Sequence, residues 1–87
     1  MHDSSLMASL LAQIEGAARQ RGARRVLVVR LRLGPLAVFD EEHLREHWAL
    51  AVAGSVAEGA ELVVRRSDDP LAPGAYTATL ESIDVEV

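Results

Sequence analysis

The nine residues "RVLVVRLRL", Arg25 to Leu33, constrain the fold of this chain more than any other stretch. The run is β-branched and apolar, and it is bounded by Gly22 before and Gly34-Pro35 after, so it reads as a strand. In a two-residue period Leu27, Val29, Leu31 and Leu33 share one face, and Val26, Val28, Arg30 and Arg32 share the other. One face must therefore be covered, while the other turns basic towards its end. With 87 residues the chain has material for one small domain, so the cover has to come from its immediate neighbours in sequence.

Those neighbours are helical. Over residues 4–20, Leu6, Leu10, Leu11, Ile14, Ala17 and Ala18 recur at three- and four-residue spacings and form one apolar stripe. Asp3, Ser4 or Ser5 supplies the N-cap, and Gly22 stops the helix. A second helix is expected over about residues 41–53. Asp40 is its N-cap, Glu41 and Glu42 complement the helix dipole, Leu44, Trp48, Ala51 and Val52 form its stripe, and Gly54 closes it. "AELVVRR" then reads as a strand, "SDDPLAPGA" as a turn, and "YTATLESIDVEV" as a final strand in which Ile83, Val85 and Val87 alternate with Ser82, Asp84 and Glu86.

The order is αβαββ. Single apolar stripes on the helices and single apolar faces on the strands predict an α+β, two-layer domain with two helices packed on one face of a three-stranded sheet. The uncovered face is expected to bring Arg30 and Arg32 near Asp84 and Glu86, pairs that set register more than stability.

Composition removes whole classes of function. There is no cysteine, which rules out disulfides, thiolate zinc sites and cysteine nucleophiles. The net charge of −4 argues against nucleic acid or an anionic membrane as partner. No apolar stretch is long enough to cross a bilayer and no leader pattern opens the chain, so the expected location is the cytoplasm. There is no Gly-rich phosphate loop and no GxSxG motif, and no enzyme is expected.

Three groups of residues carry candidate chemistry. At the start, Met1 and His2 put an α-amine, an imidazole and the following backbone amide nitrogens within one tripeptide ending at Asp3. Planar, nitrogen-rich coordination suits Ni(II) or Cu(II), whereas zinc asks for a tetrahedral set that this segment cannot close. The other reading is a solvated terminus. On the second helix, His43 and His47 are four residues apart with Glu42 and Glu46 beside them, so both rings can reach one metal ion; the alternative is a pair at the edge of the core. Around the end of the first helix, Arg19, Arg21, Arg24 and Arg25 form either a docking patch for an acidic partner or charges that complement the helix terminus.

Taken in order, Met-His-acid leading into an amphipathic helix, "GARRVLVVRLRLG" at 22–34, "GSVAEGAEL" at 54–62 and the closing "LESIDVEV" resemble the HypA/HybF family of nickel-incorporation accessory proteins. The resemblance runs along nearly the whole chain. It implies an αβαββ nickel-binding domain holding Ni(II) on Met1, His2 and Asp3, and a role in [NiFe] hydrogenase maturation or, in some organisms, that of urease. The partners it implies are a nickel-handling maturation GTPase and a hydrogenase large subunit, with the domain itself a monomer or weak dimer. Three positions depart from the family pattern. Asp3 stands where the family usually has Glu, Pro35 where it commonly has Glu, and the short loop 67–75 where it inserts a cysteine-rich zinc ribbon. The expectation is therefore one domain over 1–87 with no zinc cysteine site, its last two strands closing as a plain hairpin. A metal-free docking module of the same maturation machinery is the alternative function.

Overall fold

A computed structural model describes residues 3–38 and 40–87. The elements follow the predicted order: α1 Asp3–Gln20, β1 Arg25–Leu33, α2 Glu41–Val52, β2 Glu61–Arg66 and β3 Ala78–Glu86. The start of α2 and the stops of both helices have local causes. The Asp40 side chain accepts a hydrogen bond from the His43 amide at 2.8 Å and caps α2. Gly22 and Gly54, just past the two helices, adopt φ of 62° and 77°, the left-handed conformation that ends a helix at least cost to glycine.

The sheet is mixed, in the order β2-β1-β3, with β1 parallel to β2 and antiparallel to β3. A parallel pair needs a crossover, and α2 supplies it. Because β1 lies between the other two strands, β2 and β3 do not form the hairpin expected from the sequence. The 67–77 segment instead arches over the end of β1. Three backbone hydrogen bonds hold the arch: Ser67 N to Leu33 O (2.9 Å), Gly34 N to Thr77 O (2.9 Å) and Leu36 N to Ala75 O (2.8 Å). Here Gly34 is obligatory, since an added Cβ would run into the carbonyl oxygens of Ala75 and Gly74.

Both helices cover one face of the sheet, and one apolar cluster joins all the elements. α1 contributes Leu6, Met7, Leu10, Ile14 and Ala18, and α2 contributes Leu44, Trp48 and Val52. The strands contribute Val26, Val29, Leu31, Leu33, Leu62, Ala78 and Ile83. Fully burying a Leu or Ile side chain is worth about 1.5–3 kcal/mol, so this cluster carries the fold. Among the described residues no polar or charged side chain is buried.

In β1 the faces differ from strict alternation. Val26 is 2% exposed and Leu27 40%, the reverse of the sequence reading, while Val29, Leu31 and Leu33 point inward as expected. The cause is a bulge: β3 pairs Val85 with Val26 and Asp84 with Val28, leaving Leu27 without a partner. A second irregularity between Arg30 and Leu31 leaves Glu81 unpaired on β3. Each extra residue shifts the in-out phase by one.

Candidate functional site

Asp3 opens α1, and Met1 and His2 lie outside the described residues. What the structure fixes is where the start of α1 is carried. Towards its C-terminal end, α1 adjoins the end of β3: the Arg21 guanidinium donates to Ile83 O at 3.1 Å, and the Arg24 amide to Glu86 O at 2.7 Å. Its first half faces the start of β3, where Ser5, Ser9 and Gln13 share a shallow groove with Thr77, Thr79 and Leu80. The beginning of α1 therefore stands at the end of the sheet crossed by the 67–77 arch. Asp3 is the first residue of α1, and the first four N–H groups of a helix have no partner within it, so the helix does not take up the Asp3 amide.

His43 and His47 are brought together as the four-residue spacing predicted. Their ring centroids are 4.4 Å apart and their planes are inclined at 41°. His43 is exposed, and His47 is half-buried beside the buried Leu44 and Trp48. Among the described residues no group of three or more His, Cys, Asp or Glu side chains is placed to hold a metal ion.

The arginine group is not a uniform patch. Arg25 is paired with Glu86 (2.8 Å) and Arg21 is bound to the β3 backbone, whereas Arg19 and Arg24 lie exposed at the end of α1 and in the turn after it. The uncovered face of the sheet carries a set of ion pairs. Arg30 grips Asp84 through two hydrogen bonds of 2.9 Å, and Arg65 meets Glu81 at 2.6 Å with Arg32 at 3.8 Å. Arg32 and Glu86 were expected near one another; Glu86 is held by Arg25 instead, because β1 and β3 run antiparallel and Arg32 stands opposite Thr79 towards the other end of the ladder. The Arg30 hydrogen bond and charge hold the Asp84 carboxyl below the usual carboxylate range, and Arg65 does the same for Glu81. These groups are open to solvent and form no cleft, so they set charge and register rather than catalysis.

Fold and residues together describe a small αβαββ domain with a helix-borne terminus and no preorganised acid–base site among the described residues. The model of the family described as "hydrogenase/urease nickel incorporation, metallochaperone, hypA" matches residues 1–71, and the chain belongs to this HypA family. Hydrogenase maturation factor HypA from Xanthobacter autotrophicus is 43% identical over 68 residues, 78% of this chain and 60% of that protein. The factor from Azorhizobium caulinodans is 44% identical over 64 residues, 74% of this chain and 57% of that protein. The chain thus spans under two thirds of the length of these relatives. The solution structure of the Ni metallochaperone HypA from Helicobacter pylori superposes with a TM-score of 0.83 over 99% of this chain and 98% of that one, at 18% identity, a likeness of fold.

Proposed function

We propose that this chain is a nickel carrier of hydrogenase maturation that holds Ni(II) at Met1, His2 and Asp3. Met1 would give the amine, His2 its imidazole and an amide nitrogen, and Asp3 an amide nitrogen with a carboxylate close by. The observation that carries the reading is a nickel-incorporation family match that begins at residue 1, where the donor set lies. Tetragonal Ni(II) stabilises deprotonated amide ligands, which is the chemistry such a tripeptide offers. Acid releases the ion by protonating amine and imidazole. In this reading the ion is cargo, received and passed on with a maturation GTPase and a hydrogenase large subunit, and the domain works as a monomer or weak dimer without a zinc ribbon. Among the described residues no helix is long and apolar enough to cross a membrane, in keeping with work in the cytoplasm.

A metal-free docking module is the second reading, favoured by the exposed Arg19 and Arg24 at the end of α1. Titrating Ni(II) into protein with an untagged, free amine separates the two. The expected result is a planar Ni(II) absorption band that disappears both in His2→Ala and on acetylation of the amine. Persistence of the band in both variants would sink the N-terminal site, and no Ni(II) binding at all would favour the docking module.

A further inference from the structure

We propose that His43 and His47 form a second, open metal site on α2, one that takes a divalent first-row cation of the imidazole-preferring group, Ni(II) or Cu(II). The inference stands on helix geometry and does not depend on the N-terminal site. Two imidazoles bound to one ion at about 2.1 Å put each ring centroid about 3.2 Å from the metal, and bonds at right angles then separate the centroids by about 4.5 Å. The observed separation is 4.4 Å. The separation of the two rings thus matches the one that cis chelation needs.

Two further features favour the cation. The Asp40 carboxylate accepts the His43 amide hydrogen bond, which anchors the first turn and with it the position of His43. Glu42, Glu46 and Asp40 line the same surface concavity as His43, so the local field is negative, while Arg45 is turned away to Glu41 and the Leu62 carbonyl. Among the described residues no third ligand converges on the pair. Two imidazoles fill only part of a coordination shell, so the ion is held reversibly and is open to exchange. Copper and nickel tolerate such a two-imidazole hold better than structural zinc does.

The test is calorimetric titration of Ni(II) into the full chain carrying His2→Ala, which removes the other candidate donor. One equivalent is expected to remain. His43→Gln or His47→Gln added to that background should weaken it by at least the 10- to 100-fold or so that even an outer-shell partner can cost. His43 is exposed, so His43→Gln should leave the far-ultraviolet dichroism unchanged, and it is the deciding variant should His47→Gln disturb the core edge. In the His2→Ala chain, Cu(II) at low stoichiometry should broaden the nuclear magnetic resonances of residues 43–47. Absence of any Ni(II) binding in the His2→Ala chain would overturn the proposal. Binding that both Gln variants retain would overturn it equally. Should His2→Ala change nothing while His43→Gln abolishes all binding, the N-terminal reading fails and this one holds.

Discussion

The two faces of the three-stranded sheet are made by the same strands and do different work. On the covered face Val26, Val29, Leu31, Leu33, Leu62 and Ile83 are packed under α1 and α2. On the open face Arg25, Arg30, Arg32 and Arg65 are met by Glu86, Asp84 and Glu81. The contrast teaches that apolar burial supplies the free energy here, while the charges select which residues stand opposite each other. Solvent-screened ion pairs are weak, yet Arg25–Glu86 and Arg30–Asp84 tie β1 to β3, and Arg65–Glu81 ties β2 to β3 across the strand between them.

The contrast can be broken most directly from the covered side. Leu31→Ala, at a position with no exposure, should cost about 2–5 kcal/mol. A domain of this size has only about 4–13 kcal/mol in total, so the urea midpoint should fall by at least about a sixth. A loss no greater than that of an open-face substitution would erase the distinction. Next in size is Gly34→Ala at the sheet end. Its methyl group has to displace the Gly74–Ala75 backbone, an overpacking cost of about 1–3 kcal/mol, and amide exchange should quicken at Leu36 and Thr77 before it does in the core.

The smallest effect belongs to the open face. Asp84 and Glu81 have their carboxyls lowered in the folded state by Arg30 and Arg65, so the unfolded chain takes up their protons at higher pH than the folded one. Their contribution is complete above the ordinary carboxylate range and is lost as pH falls through the lowered folded values. Asp84→Asn should thus reduce the thermal midpoint slightly at pH 7, and the gap from the unsubstituted protein should close as the solution is acidified. A gap that widened on acidification would reverse the assignment of Asp84 to its arginine.

Much of this was legible in the sequence, because helical and strand periods are local signals. Element order, the Asp40 cap, the glycine stops and the two-layer packing all follow from such signals. Met7 was overlooked beside Leu6, since one turn of helix accepts either neighbour at the edge of a stripe. The strand order was not legible: nothing local in "ELVVRR" or "ATLESIDVE" shows that both pair with β1 rather than with each other. Nor was the reversal at Val26 and Leu27, which depends on a partner strand more than fifty residues away. For the candidate sites, the His43–His47 spacing carried over directly from the 3.6-residue period. The arginine group did not stay together, because Arg21 and Arg25 found acceptors on β3.

The two unpaired residues of the β1–β3 ladder have a joint consequence. Leu27 is the extra residue on one strand and Glu81 the extra on the other, so both strands run nine residues and finish flush, Arg25 against Glu86 and Leu33 against Ala78. The pair behaves like a frameshift and its suppressor. Deleting either one leaves the strands a residue out of step at one end, near the α1 turn for Leu27 or near the arch for Glu81. Removing both restores equal lengths, so the double deletion should disturb the ladder less than either single one.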